Sequence, residues 1–188
     1  MTVPEDPATT PELPPGRIAH QEGILAVVAL VGLGIRDGSP LAGLAPRGQL
    51  LAGLGAGSGA GLLLALAGIG LSWLPAGRRL EGIQRGLLGT WTGVDGAAIA
   101  VLSGLAEEAL VRALLQPMIG LVPAAVLFAL LHVIPDRGAW LWPVTALVFG
   151  LVLGALFARW GYPAAATAHI LVNLIGFLRL TRRPATEA

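Results

Sequence analysis

Six apolar stretches, at about 18–35, 48–74, 96–116, 121–135, 141–159 and 163–180, take up most of the chain. This pattern constrains folding more than any other feature. A helix rises about 1.5 Å per residue, so crossing a hydrocarbon core of about 30 Å takes about 20 residues. The second stretch is long enough to cross at a tilt. The third and sixth are close to the required length, and the fourth, LVPAAVLFALLHVI, is short. A short helix inside a bundle is suited to lining a water-filled dip. Composition supports the same reading. Only 12% of residues are charged and the mean hydropathy is +0.76, whereas soluble domains are about 25% charged. Such a chain has too little polar surface to cover a soluble globule. We therefore expect an all-α, polytopic membrane bundle of about six transmembrane helices, spanning residues 18–180.

The segments outside the bundle are polar. Residues 1–17 are rich in Pro, Thr and acid and read as a disordered tail. They lack the charged, apolar, small-residue order of a signal peptide. Residues 181–188 read as a second short tail, and 78–90 as an amphipathic interfacial segment. All 12 basic residues are Arg. With six spans, Arg17, Arg78, Arg79, Arg85, Arg137, Arg179, Arg182 and Arg183 fall on one side, and Arg36, Arg47 and Arg159 on the other. The positive-inside rule puts both termini in the cytoplasm of a multi-pass protein, and a bacterial inner or plasma membrane is the expected location. Trp73, Trp91, Trp140, Trp142 and Trp160 lie near predicted span ends, as an aromatic belt would. The chain has no cysteine, which excludes disulfides, thiol catalysis and thiolate metal sites. A net charge of +1 with no basic stripe points to lipid and not nucleic acid as partner.

Against this background a few polar residues stand out. Each charge inside a span costs at least about 2.5–3.5 kcal/mol on insertion scales. Span three nevertheless carries Glu107, Glu108 and Arg112, span four His132, and span six His169 and Asn173. Glu108 and Arg112 are i and i+4, share a helix face and can pair. Glu107 is rotated about 100° away, which leaves it free to face a cavity. His169 and Asn173 share a face in the same way, as do Phe128 and His132. His20 and Glu22, near the start of span one, receive no role.

These groups suit hydrolysis of an amide without a covalent intermediate. Burial disfavours the charged form of a carboxylate and so makes it a stronger base for water. One histidine can help hold the water or shuttle its proton. The other, with an asparagine amide, can donate to a developing oxyanion.

The three pairs read Glu107-Glu108-Ala-Leu-Val-Arg112, Phe128-Ala-Leu-Leu-His132 and His169-Ile-Leu-Val-Asn173. In this order, on successive core helices, they resemble the motifs of the CPBP family, the CAAX-prenyl-processing and bacteriocin-processing (Abi) intramembrane proteases. The chain departs from relatives with Phe-Arg-Gly where it has Val111-Arg112-Ala113. The resemblance implies a helical bundle cleaving near the cytoplasmic face. It implies Glu107 and His132 as activators of water and His169 and Asn173 at the oxyanion, with Glu108, Arg112 and Phe128 supporting them. The substrate would be a peptide or protein in or at the membrane.

Other readings use the same cluster. If a metal such as zinc were held, Glu107, His132 and His169 would be its ligands, but no HExxH spacing is present and the expectation is no cofactor. Intramembrane Glu and His also build ion paths, so a small transporter or a non-catalytic scaffold or immunity protein is the alternative. The chain shows neither an internal repeat nor matched broken helices of the kind many carriers have.

Overall fold

The computed structural model describes residues 12–182; of the expected tails at 1–17 and 181–188, residues 1–11 and 183–188 lie outside the described residues. The elements run α1 (Pro15–Asp37), α2 (Leu50–Leu71), α3 (Pro75–Leu87) and α4 (Gly93–Glu108). A π-helical segment (Ala109–Leu115) then carries α4 on into α5 (Gln116–Ile119), followed by α6 (Leu121–Leu130), α7 (Leu141–Trp160) and α8 (Tyr162–Thr181). No strand occurs among the described residues, and the fold is all-α. Four helices are long and apolar enough to cross a membrane: α1, α2, α8, and α7 with the turn before it. The unbroken run 93–119 covers roughly 40 Å at 1.5 Å per residue. The protein is an integral membrane helical bundle.

Local chemistry sets the helix ends. Pro15 and Pro75 open α1 and α3 at positions whose N–H would be unpaired anyway. Thr92 and Asp95 form a reciprocal capping box at the start of α4. Gly161 separates α7 from α8 at φ 85°. A side chain there would also press on the Ala45 carbonyl, 2.6 Å from the Cβ position, so only glycine fits.

Leu13 and Arg182 lie on the same side of the bundle, beside α3. The Leu13 N–H donates to the Leu87 carbonyl, and Arg85 donates to the carbonyls of Leu180 and Arg182. Helix α1 thus begins three residues earlier than expected, and Leu13 is tied into the fold. Trp91 holds it from the other side. It is buried, donates from Nε1 to the Leu13 carbonyl at 2.6 Å, and packs on Phe177. It is an internal clamp and not the belt residue expected from its place near a span end. The anticipated interfacial segment is α3, which buries Gly77, Leu80 and Leu87, exposes Arg78 and Arg79 and half-buries Glu81, Gln84 and Arg85.

The fourth stretch differs most from expectation. Its helix, α6, has 10 residues, roughly 15 Å of rise. Gly120, at φ 91°, turns the chain into it. Leu121 packs beside Gly154, so α6 starts about 9 Å inward from the end of α7. It ends at Leu130, and His132 follows in a turn.

Helix α8 is the centre of the bundle, packed against α2, α4 and α7. Its approach to α2 runs along Gly53, Gly57, Gly61 and Ala65, all buried and four residues apart. A Cβ on Gly61 would lie 2.7 Å from the Ala168 carbonyl, and one on Gly57 would overlap the Ala164 carbonyl. Small residues permit this contact between backbones in lipid. Gly55 and Gly59 face open space. Gly57→Ala is therefore expected to lower stability in detergent by about 1–3 kcal/mol, and Gly55→Ala to leave it unchanged or raise it. Thermal unfolding of the two variants side by side checks this.

Candidate active site

The capping box starts α4, whose inner face then carries Ser103, Glu107 and Glu108 into the bundle. Glu108 is fully buried. Its Oε2 accepts from Arg112 Nε at 3.1 Å and its Oε1 from His169 Nδ1 at 2.9 Å. The pair anticipated from the i, i+4 spacing is therefore present, with His169 as a third member. Arg112 is also fully buried and sits over the Phe128 ring, 5.0 Å from its centroid. Its Nη1 and Nη2 have no hydrogen-bond partner among the described residues. Arg112 lies within the π-helical segment, a widened turn that is frequent at functional sites.

Phe128 joins the two histidines. Its ring lies 4.7 Å from that of His132 and 5.6 Å from that of His169. His132 Nδ1 is 2.9 Å from the Phe128 carbonyl. A carbonyl only accepts, so this nitrogen carries the proton and Nε2 is left to accept or bind. The same argument applies to His169, whose Nδ1–H is given to a carboxylate and whose Nε2 remains free. One turn on, Asn173 donates from Nδ2 to Ser103 Oγ at 2.9 Å, leaving its second N–H available.

Glu107, His132, His169 and Asn173 all line one cavity of about 520 Å³. Glu107 is nine-tenths buried, and its Oε2 has no hydrogen-bond partner among the described residues. The expected division between the two neighbouring glutamates is visible here. Glu108 is bonded to Arg112 and His169, and Glu107 bonds to neither and lies in the cavity wall. Helix α6 ends early, at Leu130, and half-buried His132 sits just past its last turn in the wall of the same cavity.

The cavity reaches the side on which Leu13 and Arg182 lie, where Arg17, Glu81, Gln84 and Arg179 form its mouth. His169 lies 10 residues along α8 from Arg179, roughly 15 Å inward. At the mouth Glu81 accepts from Arg85 at 2.8 Å and from Arg179 at 2.9 Å. Partial burial alone would push this carboxyl up, but the hydrogen bond from Arg85 and the charges of Arg179 and Arg85 outweigh it. Glu81 is held below its ordinary value of 4.5.

Residues 89–175 match the family model described as Rce1-like, type II CAAX prenyl endopeptidase. The match is to the CPBP/CAAX protease family and covers just under half of the chain. No curated protein and no solved structure matches the chain. The CAAX protease match opens just before α4 and closes two residues past Asn173, so it contains all three motifs and both histidines of the cavity. Helices α1, α2 and α3 precede it.

Three further residues line this cavity without being marked by the sequence as part of it. Ser103 holds Asn173; it is four residues before Glu107 on one helix face, and that spacing was a usable signal. Trp142 lines the cavity with its ring 6.0 Å from that of His132, and nothing local distinguishes it from a belt tryptophan. Glu22 is buried in the cavity wall. It is an acid near the start of an apolar stretch, where an interfacial position would have accounted for it equally well.

Two predictions follow from the charges. Arg112→Leu leaves Glu108 buried without its main cation and is expected to cost about 3–5 kcal/mol, read as loss of folded protein from membranes. At the mouth, the depressed Glu81 carboxyl contributes stability above its ordinary 4.5 and loses it as pH falls through the lower folded value. Glu81→Gln should therefore lower thermal stability at neutral pH by about 1 kcal/mol or less. The gap from the unsubstituted protein should close in acid, which a melting series across pH reads directly.

Proposed function

We propose that the chain is an intramembrane endopeptidase that uses Glu107 to activate water. The observation that carries this reading is the contrast between adjacent glutamates. Glu108 is hydrogen-bonded to Arg112 and His169, while Glu107 presents an unpartnered Oε2 in the same cavity as His132, His169 and Asn173. The match of residues 89–175 to a CAAX endopeptidase family supplies the reaction class.

In this reading water donates a proton to Glu107 while its oxygen bonds to the peptide carbonyl carbon. His132 Nε2 is a second acceptor for the same water. The carbonyl oxygen takes the displaced electron pair and is met by the free N–H of Asn173 and by His169. With its Nδ1–H given to Glu108, His169 donates from Nε2 only as the doubly protonated ring, whose charge Glu108 faces. Glu107 returns its proton to the leaving nitrogen, the C–N bond breaks, and a carboxylic acid and an amine result. A positioned base of this kind is worth about 10²–10⁴-fold and one oxyanion donor about 10²–10³-fold.

A metal would draw on Glu107, His132 and His169. Among the described residues no three His, Asp or Glu side chains are grouped closely enough to share one ion, and both histidines are packed on Phe128. No step is therefore routed through a metal. The arginine-rich side, where the cavity opens, is assigned to the cytoplasm, so a peptide or protein substrate at the membrane would enter from there.

Glu107→Gln should fold, with a melting temperature close to that of the unsubstituted protein, and should lose at least about 10²-fold of cleavage. The check is a comparison of new protein termini in native membranes expressing either form at matched levels. Termini that depend on an intact Glu107 support the reading, and identical sets overturn it.

A further inference from the structure

The mouth of the cavity carries more cation than its own acid engages. Glu81 is the carboxylate there, and both of its oxygens are taken. Oε1 accepts from Arg85 at 2.8 Å and Oε2 from Arg179 at 2.9 Å. Arg179 is fixed by this bond and by a second one, at 2.9 Å, to the Ser72 hydroxyl. Both leave from Nη2, so Nε and Nη1 of Arg179 have no partner among the described residues. Arg17 lines the same mouth and is exposed. Its guanidinium is in none of the ion pairs among the described residues. Gln21 and Gln84 line the cavity as well.

The backbone that carries Arg17 is pinned. The Leu13 N–H donates to the Leu87 carbonyl at 2.8 Å, and Trp91 Nε1 donates to the Leu13 carbonyl at 2.6 Å. Arg17 and Gln21 are i and i+4 on α1 and share a face, which is the face turned to the cavity. Two guanidinium groups with unused donors therefore meet whatever enters. Such a fork matches a carboxylate, with two parallel N–H donors to its two oxygens. The exposed Arg78 and Arg79 on α3 do not line the cavity. They are placed for the anionic headgroups of the surrounding leaflet, whereas Arg17 and Arg179 face the route to Glu107.

We propose that Arg17 is a specificity-determining residue, and that with Arg179 it binds a carboxylate of the peptide substrate at the mouth while the bond to be cut lies beside Glu107. Along α8, Arg179 is about 9 Å from Asn173 and about 15 Å from His169. An extended peptide covers about 3.3 Å per residue, so the carboxylate falls about three to five residues from the cut bond. An acidic side chain or a free C-terminus supplies it equally well. Arg17 and Arg179 both lie outside the matched residues 89–175, so this preference is carried by parts of the chain outside the shared motifs. The inference rests on the proposed peptidase reading for the ligand being a peptide.

The test measures binding without cleavage, on full-length Glu107→Gln protein in an uncharged detergent. The probe is a short N-acetylated peptide of Leu and Ala in three forms: with a free C-terminal carboxylate, as the carboxamide, and as the carboxamide with one internal Glu. At least one carboxylate form should bind roughly tenfold tighter than the plain carboxamide, and which one does so identifies the source. The advantage should shrink in high salt. It should fall to about twofold or less on adding Arg17→Gln, and return in part with Arg17→Lys, which restores the charge without the fork. Arg17→Gln should fold normally, because Arg17 is exposed.

Equal binding of the three peptides, undetectable binding included, overturns the proposal, as does an advantage that survives Arg17→Gln. Retention of phosphatidylglycerol through purification that depends on Arg17, with no preference among the peptides, assigns the residue to lipid and also overturns it. Protein termini from membranes separate this inference from the peptidase reading. If the carboxylate advantage holds but no termini depend on Glu107, the binding site stands and the peptidase reading falls. If termini depend on Glu107 while Arg17→Gln changes neither the cut sites nor peptide binding, the peptidase reading stands and the role of Arg17 falls.

Discussion

A carboxylate buried in the middle of an apolar bundle has to be met by hydrogen-bond donors, and Glu108 is met twice. Arg112 reaches it from the next turn of the same run, and His169 reaches it from α8. The first contact is local and holds wherever the helix forms. The second requires α4 and α8 to sit at one rotation and one depth, because a slip of a turn moves His169 about 5 Å from its partner. Asn173 on Ser103 repeats the lock one turn further along. Phe128 then seats α6 against Arg112 and His169. The register of three core helices is thereby tied to one ionised group.

That lock needs close backbones, and the bundle supplies them by omitting side chains. Helix α8 meets α2 over Gly57 and Gly61, and meets α4 over Gly104, where a Cβ would lie 2.5 Å from Ile170. The 27 glycines of the chain thus include residues that bring polar groups within hydrogen-bonding distance of one another. The π-helical segment adds a disturbed helical ladder at the same depth. Arg36 donates to the Leu114 carbonyl at 2.6 Å, and Gln116 donates to the Gly154 carbonyl at 3.0 Å. Both contacts join neighbouring elements to the widened turn that carries Arg112.

Much of this was legible in the sequence because lipid makes polarity conspicuous. Glu107, Glu108, Arg112, His132, His169 and Asn173 stand out against Leu, Val and Ala, and i, i+4 spacing identifies which share a helix face. The structure brings Glu107, His132, His169 and Asn173 to one cavity, with Glu108 and Arg112 bonded behind His169. What spacing cannot give is the relation between helices. Nothing local indicates that His169 Nδ1 turns to Glu108, that Trp142 lines the cavity, or that Trp91 closes over Leu13. The length of α6 was half legible: its apolar run was visibly short, but the break after Leu130 depends on packing beside α7. The π-helical segment has no sequence signature, since Ala-Leu-Val-Arg-Ala-Leu-Leu would form an ordinary helix equally well.

The shortness of α6 is what makes the proposed chemistry geometrically reasonable. A full-length fourth helix would carry His132 out to the membrane surface, while Glu107 and His169 stay roughly 15 Å inside. By starting inward beside Gly154 and stopping after 10 residues, α6 keeps His132 at the depth of Phe128 and leaves the space that becomes the cavity. Hydrolysis at that depth needs water, and the cavity wall offers polar groups from Arg179 and Glu81 at the mouth to Asn173 and His169 within. The remaining lining is largely apolar, so a substrate segment entering the cavity exchanges lipid or interface for protein at little cost. Its backbone amide would find partners only at the polar end. In this reading selectivity for the bond to be cut comes from where hydrogen-bonding groups are present at all, and less from the side chains flanking that bond.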